Sequence, residues 1–352
     1  MKKVNLKFAA FLLCLALAGL ALFGCTAKTD GPAKTGGPVQ TGEPAATDSP
    51  AATDAPADDY VLKVGTLSGP TGMGMAKLMN DCAEGGATAG KYSITLYTSP
   101  DAIRSALLTG ELDVAALPVN LSAVVWAKTS GKYQVAAVNT LGVLYMLEAG
   151  STVNSVKDLA GKTIYATGEG STPEYILKYI LEKNGITDCT IEFKTEHTEL
   201  ATLMASGQVV LGMLPEPMVT TVTSKNADVR VALNLTEEWA KVSEGESVQG
   251  CISVSTDVIA NHKALLDEFL DDYKASVEFV NKNVDEASEM IVNAGIVANA
   301  AIAKSAIPRC NIVFIESSQM KSILNEFYAV LFAANPASVG GSMPDDGLYY
   351  VR

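Results

Sequence analysis

The chain has 352 residues, 39 acidic against 26 basic side chains for a formal charge of −13, and two histidines. An acidic balance of this size argues against nucleic acid as a partner, while 48% apolar residues suffice for a sizeable core. The two histidines, His197 and His262, are not spaced with a carboxylate as a metal-ligand set and are expected away from the cleft loops named below, and no nucleophile elbow occurs. No metal, no cofactor and no catalytic residue is predicted.

Lys2, Lys3 and Lys7 precede an apolar run from Phe8 to Phe23 that ends in Gly24-Cys25. A basic start, and a run shorter than the ~20 residues of a spanning helix, predict a secretory signal over 1–24. Its end resembles a lipobox, so Cys25 is the expected lipidated residue, anchoring the chain outside the cytoplasm at the cell membrane. Residues 25–59 are rich in Thr, Ala, Gly, Pro and Asp and carry the near-duplicate hexads AATDSP and AATDAP over 45–56. Such a stretch offers too little apolar surface to offset its ordering entropy and reads as a tether.

From Val61 short β-rich runs alternate with amphipathic stretches. Strands are predicted over 61–67, 92–98, 112–117 and 133–139, with helices from about Thr71, from Pro100 to Thr109 and from about Asn120. Gly110 stops the second helix. This alternation predicts an open, largely parallel sheet.

A second series follows: strands at 162–166, 190–194 and 208–214, with helices at 172–184 and 198–206. It repeats the first. Leu107-Leu108-Thr109-Gly110 and the strand ending at Pro118 match Met204-Ala205-Ser206-Gly207 and the strand ending at Pro215, with the same Gly-to-Pro spacing. In each copy a helix ends at Gly, a strand follows, and Pro sends the chain into the next helix. Beyond Thr236 the pattern is mostly helical, at 263–291, 297–306 and 317–334, and is expected to pack back on the first series. A returning tail requires two crossings between lobes, near Asn139 to Gly142 and near Val248 to Ser253. The organisation predicted is a first lobe over 60–141, a second over 142–247 and a return to the first over 248–352.

The lipobox, the tether, Gly69-Pro70-Thr71-Gly72 after the first strand, Asp158-Leu159-Ala160-Gly161-Lys162-Thr163-Ile164 and Leu214-Pro215-Glu216-Pro217 together resemble a type 2 substrate-binding protein of an ABC importer. The resemblance covers 60–352 and is nearest to the group serving nitrate, sulfonates, taurine and thiamine-precursor pyrimidines. It implies an α/β fold of two Rossmann-like lobes with a ligand cleft between them. It also implies a monomer that closes on a small organic molecule and delivers it to a permease and its ATPase, without catalysis. A ligand-sensing receptor domain for a signalling partner is the alternative.

Open α/β sheets bind ligands at strand carboxyl ends. Candidate binding residues in the first lobe are Ser68, Gly69, Thr71 and Gly72 in the loop after the first strand, Asn120 beyond Pro118, and Thr140 at the first crossing, where Gly142 also lies. In the second they are Tyr165, Thr167, Gly168, Ser171, Thr172 and Glu216. Ser171 and Glu174 have capping-box spacing, and Glu216 either meets ligand or bridges to the other lobe. Among Trp126, Tyr145, Tyr165, Tyr175 and Trp239, Tyr165 is the ring expected to face a ligand. Gly161-Lys162-Thr163 precedes its strand and lacks the earlier glycine of a phosphate loop, so it is no ATP site. Cys251 and Cys310 are either a disulfide or buried thiols. Scarce arginine (Arg104, Arg230, Arg309, Arg352) points to a neutral or singly charged ligand, because Arg forks are the usual clamp for polyanions.

Overall fold

The computed structural model describes residues 59–83 and 85–352. The expected signal peptide, Cys25 and nearly all of the tether lie outside the described residues. The chain begins β1 (Leu62–Leu67), α1 (Pro70–Asp81), β2 (Tyr92–Tyr97), α2 (Pro100–Thr109), β3 (Val114–Pro118), α3 (Val119–Lys128) and β4 (Tyr133–Leu141). It continues with β5 (Leu144–Ala149), β6 (Thr163–Thr167), α4 (Thr172–Lys183), β7 (Thr190–Lys194), α5 (His197–Ala205), β8 (Leu211–Pro215), α6 (Met218–Lys225), β9 (Val229–Asn234) and α7 (Leu235–Ala240). Last come β10 (Val248–Ser255), α8 (Thr256–Asn261), α9 (Lys263–Lys282), α10 (Val284–Asn293), α11 (Ala300–Ala306), β11 (Ile312–Glu316) and α12 (Ser317–Ala334).

Two sheets result, ordered β11-β4-β10-β3-β1-β2 and β7-β6-β8-β5-β9. The repeat seen in the sequence is a repeat in space. In the first sheet β1-α1-β2-α2-β3-α3 places its strands β3-β1-β2, and in the second β6-α4-β7-α5-β8-α6 places them β8-β6-β7, both triplets parallel. Gly110 (φ 76°) and Gly207 (φ 75°) both take the left-handed conformation that ends a helix at no Cβ penalty.

The sheets are mixed rather than largely parallel. β10 runs antiparallel to both β3 and β4, β11 antiparallel to β4, and β5 antiparallel to β8 and β9. The reason is geometric: β4 leads out of the first sheet and β10 leads back in from the same side, so neighbouring strands run in opposite directions. β10 was hidden in the sequence because Gln249, Gly250 and Ser253 interrupt its apolar alternation, although seven of its eight residues are buried.

Local chemistry explains the element ends. Ser99 caps α2 by accepting from Ala102 N at 3.3 Å, and Pro100 occupies the first turn, where no N–H is needed. The Asp158-to-Lys162 run begins in a short turn, Val156–Leu159, held by a capping box in which Asp158 accepts from Asn154 N (2.9 Å) and Ser155 N (2.8 Å). α9 buries Leu266, Phe269, Leu270, Tyr273, Val277 and Val280, a helical stripe packed on α1, each such side chain stabilising by about 1.5–3 kcal/mol. Ser276 Oγ knits the pair, donating to Gly74 O at 2.8 Å and accepting from Leu78 N at 3.1 Å. The helix expected over 263–291 divides at Asn283.

Cys251 and Cys310 are buried free thiols, so the possible disulfide is not formed; burial pushes Cys251 up to about 12. In the second sheet Glu148, 4% exposed, accepts from Thr152 N (2.9 Å), Val153 N (3.1 Å) and Arg230 Nη2 (2.8 Å). Burial alone would raise its pKa, but these hydrogen bonds and the guanidinium hold it below the usual carboxylate range. A depressed folded pKa contributes stability that is fully present above the unfolded value of about 4.3 and is lost as pH falls through the folded one. Arg230→Ala is therefore expected to cost about 2 kcal/mol at pH 7 in urea denaturation, with the gap to wild type narrowing in acid. A gap that does not change with pH would contradict this account.

Candidate functional site

Each αβ repeat directs its strand tips, and so the first turns of the helices that follow, into one cavity of about 210 Å³. The first-sheet half contributes Ser68, Gly69, Pro70 and Thr71 at the start of α1, Thr98 and Pro100 at α2, and Pro118 before α3. The second contributes Ser171 and Pro173 at α4, Glu196, His197 and Thr198 at α5, and Pro215, Glu216, Pro217 and Met218 at α6. Between them lie Thr140, Val143 and Leu144 at the first crossing and Gln249 at the second.

Six helix N-termini thus surround a largely apolar space. The first amides of a helix have no intrahelical acceptor and carry the positive end of its dipole; Ala102 N, Asn120 N and Thr220 N are spent on Ser99, Thr172 and Glu216, and the remaining first-turn amides favour negative charge without an ammonium or guanidinium. Among the described residues neither lysine nor arginine lines the cavity.

Of the residues singled out in the sequence, Ser68, Gly69, Thr71, Thr140, Ser171 and Glu216 line this cavity. Gly168 lines an adjoining one of about 370 Å³, which shares Pro100, Ser171 and Glu196 with the first. The others stand behind the wall. Gly72 is buried where a Cβ would come within 2.6 Å of Leu67 O. Asn120 is fully buried, its Nδ2 donating to Gly170 O (3.2 Å) and Ser338 O (3.3 Å), while its Oδ1 accepts from Thr172 Oγ1 (3.0 Å). Tyr165 turns away to stack under Lys194 Nζ, 5.5 Å from its ring centre, so the expected stacking ring is not in the cavity. The capping box at Ser171 is not formed either. Ser171 Oγ donates to Gly168 O (2.7 Å) and Glu174 accepts from Gly170 N (2.6 Å), which tightens the loop instead.

His197 overturns the expectation that neither histidine lies near the cleft loops. It opens α5, lines the cavity, and its Nδ1 is 2.6 Å from Thr167 Oγ1. Lost hydration lowers its pKa to about 4, so the ring is neutral at pH 7. Thr98, Glu196 and Thr198 were also unmarked in the sequence; they sit at the β2–α2 and β7–α5 junctions, equivalent in kind to the junctions that were marked.

Glu216 is completely buried and spans the two halves. Its Oε1 accepts from Arg309 Nε (2.7 Å) and forms an ion pair with Nη2 at 2.6 Å, and its Oε2 accepts from Thr220 N (3.1 Å) and Thr220 Oγ1 (2.8 Å). Arg309 belongs to the segment leading into β11 of the first sheet, so the bridging alternative for Glu216 is the one observed. The guanidinium is committed to that carboxylate and to Thr220 Oγ1 at 2.6 Å.

An α/β protein of two like-built lobes with strand tips facing one cavity has the periplasmic-binding-protein fold. The chain belongs to the family described as ABC transporter, phosphonate, periplasmic substrate-binding protein, whose profile matches residues 87–305. This family assignment places it outside the cytoplasm, and no helix among the described residues is long and apolar enough to cross a membrane. A sequence search found no match among curated proteins. An ABC transporter structure from Parabacteroides distasonis aligns at 23% identity and TM-score 0.68, covering 82% of this chain and 98% of that one. The alkanesulfonate-binding protein SsuA of Xanthomonas axonopodis pv. citri, bound to MOPS, aligns at 15% and 0.63, covering 81% and 94%. The periplasmic aliphatic sulphonate binding protein SsuA of Escherichia coli aligns at 15% and 0.64, covering 81% and 94%.

Because the folded pKa of His197 lies below the unfolded value of about 6.5, the unfolded chain binds the extra proton and stability falls as pH drops below that value. The His197 ring resonances are expected to stay at neutral positions from pH 8 to 5 and to move only in stronger acid. Midpoint titration near pH 6.5 would show a hydrated ring and a different cavity.

Proposed function

We propose that the protein captures a small organic monoanion of the sulfonate class between its lobes and hands it to an ABC permease and its ATPase. It does so as a monomer, held at the membrane through lipidated Cys25, without chemical change to the ligand. The first lobe is taken as 60–141 with 248–352 and the second as 142–247, hinged at the two crossings. The observation that carries this reading is the ring of six helix N-termini around an apolar cavity with no lysine or arginine among the described residues of its lining.

Charge decides the class. Amide dipoles balance one negative charge well but a second poorly, and Glu196 in the wall and the Arg309-paired Glu216 add no positive charge. A sulfonate is singly charged at every physiological pH. A phosphonate, whose second ionisation falls near neutrality, is favoured only as its monoanion. The family's description and the sulfonate-binding structural relatives both fit this oxoanion chemistry. Contacts to both halves would make the closed form the better binder, which is the condition for a ligand to drive closure.

Calorimetry on the full chain in detergent, with methanesulfonate, taurine, methylphosphonate and inorganic phosphate, tests the reading. Sulfonate binding independent of pH between 6 and 8 is expected, with methylphosphonate weakening about tenfold as pH rises across that range. Tight binding of dianionic phosphate would overturn it. Cys25→Ala is expected to release the protein from the membrane fraction.

A further inference from the structure

Among the described buried side chains, Thr66, Asn139, Gln249 and Tyr273 have polar atoms without a hydrogen-bond partner. Of these Gln249 alone lines the cavity. It is 8% exposed, and its Nε2 meets no protein acceptor. Turning the amide over leaves the same problem, because no hydrogen bond is made by either end.

The backbone shows why the side chain points there. β10 pairs with β4 at Val248↔Leu141 and next at Gly250↔Thr140, so two steps along β10 answer one along β4 and Gln249 is the extra residue of a β-bulge. Bulges bend a strand and re-aim a side chain. Gly250 beside it is held free of a side chain, since a Cβ there would lie 2.5 Å from Asn139 Oδ1 and 2.9 Å from Thr71 Cγ2. That approach brings the start of α1 against Gly250, and Thr71 and Gln249 both line the cavity.

The neighbouring hydroxyls do not duplicate its role. Thr71 Oγ1 donates to Leu67 O (3.1 Å), Thr140 Oγ1 to Asn139 Oδ1 (3.2 Å) and Ser171 Oγ to Gly168 O (2.7 Å), so their protons are spent within the protein. They offer lone pairs to the cavity, whereas both N–H groups of Gln249 are unspent; its Nε2 is shut off from the open space as placed, and a half-turn of the amide, which breaks no hydrogen bond, exchanges the two ends.

We infer that Gln249 is a specificity-determining residue, donating its side-chain amide to an anionic oxygen of the guest. The inference rests on the oxoanion reading above. It predicts a conflict between stability and binding that a purely structural glutamine would not show. Leaving a buried amide unpaired destabilises the empty protein, and the same amide strengthens the filled one.

The test uses full-length wild type, Gln249→Leu and Gln249→Glu in detergent, with methanesulfonate and taurine as probes. Gln249→Leu is expected to melt about 2 °C higher without probe and to bind about tenfold more weakly. Gln249→Glu, which replaces the donor by a negative acceptor, is expected to lose more affinity than Gln249→Leu. Probe binding by Gln249→Leu within twofold of wild type, or a lower melting point of its empty form, would overturn the assignment. If wild type binds neither probe, the oxoanion class fails by itself. The melting shift then decides Gln249: a rise supports an amide held for a guest of other chemistry, and a fall removes the residue from the site.

Discussion

The chain passes between its two sheets twice, at Gly142 after β4 and again before Val248 at β10, and both passages form part of the cavity wall. Gly142 has to be glycine, because a Cβ would lie 2.1 Å from Thr236 Oγ1. Nearly everything else follows from these crossings. They insert antiparallel strands beside two parallel βαβ units. They also put Thr140, Val143, Leu144 and Gln249 at the junction of the lobes, where any relative movement would have to be absorbed. The stretches that join the two sheets therefore also form part of the cavity wall.

The electrostatics show an economy in the use of arginine. All four arginines are paired with carboxylates: Arg104 with Asp101, Arg230 with Glu148, Arg309 with Glu216, and Arg352 with Glu316 and Asp271. None is left to clamp a polyanion in the cavity. The donors the fold does place around the cavity are backbone amides at helix starts, which are fixed by the helices and cost no side-chain entropy to position. Six prolines at strand tips and helix starts, Pro70, Pro100, Pro118, Pro173, Pro215 and Pro217, line the same space. They give rigid apolar contact where a helix has no use for an N–H.

Much of this was legible because punctuation and periodicity agree. The helix from Pro100 to Thr109, the strand 190–194 and the helix 317–334 were read to the residue, since Pro, Gly and an unbroken apolar stripe marked them. The strands β5, β9, β10 and β11 were not, since buried or crossing strands lose the alternation that separates a strand from a short apolar run. The site divides the same way. Loops after β1, β6 and β8 announced themselves by glycine and proline, but the loop after β7, carrying Glu196 and His197, has neither. Gln249 is reached only through a one-residue slip of register, which depends on which strand becomes the neighbour. Tyr165 fails for a related reason: position in the chain put it beside the Thr167 loop, and the two-residue period of a strand turned it elsewhere.

The repeat also explains the two deeply buried polar residues that follow its prolines. Asn120 lies two positions after Pro118, and Glu216 one position after Pro215. Each reaches across to the other half, Asn120 to Gly170 and Thr172, Glu216 to Arg309. The two copies thus place an interlobe tie at corresponding strand ends but build it from different chemistry, a neutral amide in one and a charge pair in the other. The charge pair is the more sensitive to hydration, because separating the halves would return a fully buried carboxylate to water and remove both the cost of its burial and the attraction that offsets it. Asn120 has no such compensation, and opening leaves it only the exchange of protein for water partners. Both ties run between the halves, so any separation of the halves would have to exchange an amide's partners at one and a charge pair at the other for water.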